Sequence, residues 1–135
     1  MEESNPNIFN LILMVNIFYT NDFERAAKKL LKKYPSLKLE FQKLATDLLD
    51  NPKIGTPIYD KTREVRKIKL SIDSKGKGKR GGARVITLLL NTENNDQNVW
   101  LLFVYDKKEY GDVNEDYILG IVEEIEQNNT TKDAL

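Results

Sequence analysis

The sequence predicts an α+β fold, and three observations predict it. Apolar residues recur at helical spacing in two successive stretches of the first half and in one near the carboxyl end. Between them lie one alternating and two continuously apolar stretches of strand length, and a short β-branched and aromatic run precedes them all. With 135 residues at 40% apolar composition, the chain can bury one core and not two. The predicted order is β-α-α-β-β-β-α, with no internal repeat.

VNIFY, ending at Tyr19, reads as the first strand. Asn21, with Glu24 three residues on, is the predicted N-cap pair of the helix that follows. Phe23, Ala26, Ala27, Leu30, Leu31 and Tyr34 form its apolar stripe, and Lys28, Lys29, Lys32 and Lys33 face mostly outward. Pro35 interrupts this pattern. Ser36 stands where it can cap a second helix with Leu37, Phe41, Leu44, Leu48 and Leu49 inward, so the two helices are expected to pair antiparallel.

NPKIGTPIYD, from Asn51 to Asp60, holds two prolines and a glycine and reads as a connecting loop. In EVRKIKLSI, Ile68, Leu70 and Ile72 point to one face of a strand while Lys67, Lys69 and Ser71 point to the other. ARVITLLL (Ala83 to Leu90) and VWLLFVY (Val99 to Tyr105) predict central strands covered on both faces. Asp112 and Glu115 are the predicted capping pair of a last helix with Tyr117, Ile118, Ile121, Val122 and Ile125 on its stripe. The polar QNNTTKDAL after it is expected to fray. The expected organisation is one domain over residues 14–127 between an extension or alternative start at 1–13 and a polar tail at 128–135. If 1–13 is a genuine extension, Ile8, Phe9, Leu11 and Leu13 pack beside the first strand.

Composition excludes several chemistries. Without cysteine there is no disulfide or thiolate, and without histidine neither a serine-histidine relay nor a usual zinc site can be built. The apolar run from Ile8 to Tyr19 falls short of the roughly 20 residues of a membrane span, and acids rather than bases precede it, unlike a secretory signal. The expectation is a cytoplasmic protein with no membrane partner.

Charge is balanced in total, with 21 basic and 21 acidic side chains, but unevenly spread. Residues 61–84 carry ten basic and two acidic side chains, and residues 85–135 carry three basic and eleven acidic. Within the basic block, SKGKGKRGGAR (Ser74 to Arg84) matches G-x-G-x-x-G from Gly76 to Gly81, yet a strand follows where a dinucleotide site needs a helix. No Walker A closes the run, and the chain is too short for a kinase and lacks its signatures. What remains is a long hairpin loop with pliable glycines and phosphate-seeking lysines, or else a merely solvated hairpin. Lys67 and Lys69 lie about 6–7 Å apart on one strand face, and Arg84 begins the next strand across the hairpin. The three cations therefore converge at one end of the sheet, with Lys107 and Lys108 approaching from the other side. The bland alternative is an edge strand protected by lysines against aggregation.

On these residues the chain resembles a family. The element order, VRKIKLSIDSKGKGKRGGARVI, and VYDKKE after an apolar strand look like the RelE/ParE superfamily of toxins from bacterial type II toxin–antitoxin modules, in its HigB-like branch. The resemblance covers about Val15 to Glu126 and implies a RelE-like fold, a small mostly antiparallel sheet with a helical hairpin and a C-terminal helix. It also implies an mRNA interferase, a ribosome-dependent endoribonuclease in which the RNA's own 2′-hydroxyl attacks the adjacent phosphate. Carried over by position, Lys67 and Lys69 match the family's strand lysines, Arg84 its arginine after the glycine turn, and Lys108 the basic position after the last core strand. The family's tyrosine near the last helix falls on Tyr105, Tyr110 or Tyr117; Tyr117 lies on the apolar stripe, whereas Tyr110, in a loop beside Lys108, is free to stack on RNA.

Such a site works when neighbouring cations let Lys67 or Lys69 accept a proton while Arg84 stabilises charge on the phosphate. Lys75, Lys77, Lys79, Arg80 and Lys107 are then RNA-binding residues. No metal or other cofactor is expected, since the acids Asp106, Glu109, Asp112, Glu115 and Asp116 read as caps and solvated loop. The implied partners are mRNA, the ribosome and a cognate antitoxin in a hetero-oligomer. The alternatives are a ParE-like protein-binding gyrase inhibitor and a catalytically inactive antitoxin-binding member.

Overall fold

The longest apolar stretches form the middle of the sheet, because only strands covered on both faces can bury every side chain. The fold is seen in a computed structural model that describes residues 14–73 and 81–134, with side chains described to residue 128. The segment 1–13 and the expected docking residues Lys75, Lys77, Lys79 and Arg80 lie outside the described residues. Strands β1 (Val15–Tyr19), β2 (Thr56–Pro57), β3 (Glu64–Leu70), β4 (Ala83–Asn91) and β5 (Gln97–Asp106) make one sheet in the order β1-β5-β4-β3-β2. β1 runs parallel to β5, and the other three pairings are antiparallel. Helices α1 (Asn21–Lys33) and α2 (Leu37–Asp50) follow β1, and α3 (Lys107–Tyr110) and α4 (Glu115–Ala134) follow β5. The predicted α+β class and the mostly antiparallel sheet are both present.

Two apolar clusters share the sheet. On one face Phe23, Ala27 and Leu30 of α1 and Leu37, Leu44 and Leu48 of α2 pack on Ile68, Leu70, Val85 and Val104. On the other, Ile118, Ile121, Val122 and Ile125 of α4 pack on Val65, Ile86, Leu88 and Leu102. Every β4 residue from Ala83 to Leu89 is buried. Lys67 and Lys69 alternate with Ile68 and Leu70, so they lie on the α4 face.

β5 carries a bulge. Ile86 pairs with Phe103 and Thr87 with Leu101, which leaves Leu102 as the extra residue. Its freed carbonyl accepts the Thr20 hydroxyl at 2.8 Å, and the Leu101 carbonyl accepts the Thr20 amide at 3.1 Å. The same Thr20 oxygen accepts the Phe23 amide at 2.9 Å, so Thr20 rather than Asn21 caps α1. Three bonds converge on a residue that the Asn21–Glu24 spacing did not single out.

Other local expectations also shift. Asn114, not Asp112, caps α4, its side chain accepting the Tyr117 amide at 2.9 Å. Ser36 occupies the N-cap of α2 in helical backbone and makes no capping bond with its side chain. Leu49 is exposed rather than inward, while Phe41 packs edge-on against Phe23. Within the expected loop, Thr56 and Pro57 pair briefly with Lys67 and Arg66. The α4 backbone stays helical through the polar end to Ala134.

Candidate active site

Sheet register assembles the polar cluster. Lys69, Arg84 and Tyr105 form one row across β3, β4 and β5, and residues directly opposed on antiparallel strands present side chains to the same face. Lys67, with Ile86 and Phe103, forms the next row on that face. Along β3 cover falls away toward the hairpin: Val65 is 1% exposed, the Lys67 side chain 24%, and Lys69 is open to solvent. The expected convergence of Lys67, Lys69 and Arg84 at one sheet end is therefore what the structure contains.

The three cations differ in their surroundings. Arg84 is 4% exposed and donates from Nη1 to the Ala83 carbonyl at 3.1 Å. Lys67 Nζ donates to Asp112 Oδ1 at 3.2 Å. The Lys69 side chain makes no hydrogen bond or ion pair among the described residues.

Asp112 and two tyrosines complete the cluster. Asp112 Oδ1 also accepts the Tyr105 hydroxyl at 3.1 Å and the Val113 amide at 2.9 Å. Partial burial works to raise its carboxyl, but the Val113 amide, the Lys67 ammonium and the Tyr105 hydroxyl outweigh this and hold it below the usual carboxylate range. Tyr105 is buried, and that burial, reinforced by the Asp112 carboxylate, pushes its phenol well above the ordinary value, with Arg84 pulling the other way. Tyr59 is pushed up to about 12, first by burial and then by Asp112 and Glu115. Its backbone has φ +64°, a left-handed conformation that a bulky residue adopts only under constraint.

The short α3 brings Lys108 and Tyr110 to the edge of this region. Asp106, buried at the end of β5, caps α3 by accepting the Lys108 amide at 3.0 Å and also accepts the Tyr34 hydroxyl at 3.2 Å. Lys33 pairs with Glu109 at 3.0 Å, a second tie between α1 and α3. Tyr110 is 58% exposed and meets Phe103 and Tyr105 edge-on, with centroids 6.4 and 6.0 Å away. Lys108 is exposed, while Lys107 Nζ turns back to the Gly111 carbonyl at 2.7 Å. Of the three tyrosines named from sequence, Tyr105 is inside and Tyr110 outside. Tyr117 is not core as its stripe position suggested: it is 42% exposed, rests edge-on against Phe103 and donates its hydroxyl to Asp22.

A groove of about 800 Å³ opens between α2 and the edge of β3. Lys67 and Lys69 border it, so the groove meets the polar cluster at β3, while Arg84, Tyr105 and Asp112 do not line it. Sequence reasoning missed Tyr59, which sits in a loop with no motif, and misread Asp112 as a cap. Tyr105 was one of the three tyrosines named from sequence, but counting back from the hairpin sets Val104 opposite Arg84, and only the bulge at Leu102 brings Tyr105 there. No protein-family model matches the chain. No helix among the described residues is long and apolar enough to cross a membrane.

Proposed function

We propose that this chain is the toxin of a bacterial type II toxin–antitoxin module, a cytoplasmic mRNA interferase of the RelE/ParE type that cuts ribosome-bound message without a metal. One observation carries the reading: the shared sheet face on which Lys67, Lys69, Arg84 and Tyr105 converge. In the reaction the 2′-oxygen bonds to the adjacent phosphorus and the bond to the 5′-oxygen breaks, that oxygen taking a proton from water, leaving a 2′,3′-cyclic phosphate and a 5′-hydroxyl. Lys69, opposite Arg84 and without an acid partner among the described residues, takes the 2′-hydroxyl proton as its neutral amine, whereas Lys67 is engaged by Asp112. Arg84, buried in low dielectric, stabilises charge on the non-bridging oxygens. Lys108 binds a flanking phosphate, and the exposed Tyr110 ring stacks on a base. A cognate antitoxin covers this cationic face and holds the toxin inactive until it is released.

The test is primer extension on message in a bacterial translation reaction, with and without ribosomes. Cuts within codons that need ribosomes are expected, falling about 10²–10³-fold in Arg84→Ala. Lys69→Arg is expected to be as inactive as Lys69→Ala, because a guanidinium does not release its proton in this range. Intact message in every lane, together with blocked supercoiling by DNA gyrase, would replace this reading with the ParE-like one.

A further inference from the structure

An exposed carboxylate beside a cluster of cations weakens the attraction of that cluster for an anion, so its presence at Lys67 asks for a reason. The stability of the ion pair does not supply one. The Asp112 side chain is 70% exposed, and ion pairs in such surroundings contribute little. Yet Asp112 is held with care. Gly111, at φ +69°, reverses the chain after α3, the Asp112 amide donates to the Tyr110 carbonyl at 2.7 Å, and the Lys107 ammonium closes the same turn on the Gly111 carbonyl at 2.7 Å. Oδ1 then receives three donors at once: the Val113 amide at 2.9 Å, the buried Tyr105 hydroxyl at 3.1 Å and Lys67 Nζ at 3.2 Å. Two of those donors belong to fixed parts of the fold, so the third, at the end of a four-carbon stem, is fixed by them.

We infer that Asp112 is a positioning residue that acts through Lys67, holding its ammonium in one place on the sheet face and linking it to the turn that follows Tyr110. This rests on the ribonuclease reading given above for its functional consequence, and on geometry alone for its structural one. A small misplacement of a cation that must meet the phosphate as charge builds in the transition state is costly in rate. Lys69, without such a tether, has the freedom that a proton acceptor moving toward the 2′-oxygen needs.

Two measurements on the full chain test the inference. Side-chain ammonium NMR reads Lys67 directly: an ordered Nζ in the wild type is expected to become mobile in Asp112→Asn, while Lys69 is unchanged. The same relaxation of Lys67 in both proteins would overturn the inference whether or not the chain cuts RNA. In the cleavage assay, Asp112→Asn is expected to lower kcat about tenfold with little change in KM, and to have no further effect in the Lys67→Ala background. An equal loss in both backgrounds, or a large drop in melting temperature, would show that Asp112 acts on the fold rather than through Lys67. A wild type that leaves message intact would sink the ribonuclease reading instead, and the NMR comparison would still decide the positioning role.

Discussion

Tyr59 and Tyr117 hold their phenolic protons to about pH 12, against an ordinary value of 10.0. Burial is the main cause in both; Asp112 and Glu115 add to it at Tyr59, and the hydrogen bond to Asp22 adds to it at Tyr117. The unfolded chain ionises these groups near the ordinary value, so their contribution is complete below about pH 10 and is lost as the pH rises through about 12. Tyrosinate absorbance followed against pH should show these late steps, and Tyr117→Phe should remove one of them. Unfolding by circular dichroism should track the late steps. At this scale the cationic residues were legible, because a period of two fixes the face of Lys67 and Lys69 once Ile68 and Leu70 are known to be core. Asp112 was not. Its spacing to Glu115 imitates a capping box, but the chain reverses at Gly111 and delivers the carboxylate to Lys67, leaving the cap to Asn114.

Elements depend on a few close approaches. At Gly82 a Cβ would fall on the Leu70 carbonyl oxygen, far inside van der Waals contact, with only backbone to give way. Gly82→Ala is therefore expected to cost about 1–3 kcal/mol by forcing β3 and β4 apart beside the Leu70–Ala83 pair, next to Lys69 and Arg84. Gly120, within α4, has nothing near its added methyl, and Gly120→Ala should stabilise by about 0.5–1 kcal/mol. Urea denaturation of the two variants gives opposite signs if this account is right. The strands and long helices were readable because each is a sustained period. The two-residue β2 and the one-turn α3 were not, since four residues or fewer carry no period, and β2 exists only because β3 offers it an edge.

The whole molecule is a sheet with two cores that share β4. Leu48 lies in one core and Ile118 in the other, both fully buried, and each residue truncated to alanine should cost about 2–5 kcal/mol. Because the clusters use opposite faces of the same strands, neither can come apart alone. Fluorescence of the single tryptophan, Trp100, and far-ultraviolet circular dichroism should therefore give coincident transitions in both variants. What the sequence could not convey at this scale was the parity of β5. Its residues read as an unbroken apolar run, and an unbroken run hides a change of face. Val99 and Leu101 look toward α1 and α2, but past Leu102 it is the even-numbered Val104 and Asp106 that do so, which is why Asp106 reaches Tyr34 while Tyr105 stands beside Arg84. The strand is thus written in two frames, and the polar row belongs to the second. Were the same residues to run on without the bulge, the contents of the two sides past Leu102 would be exchanged, putting a carboxylate on the arginine's face and a phenol toward the helices.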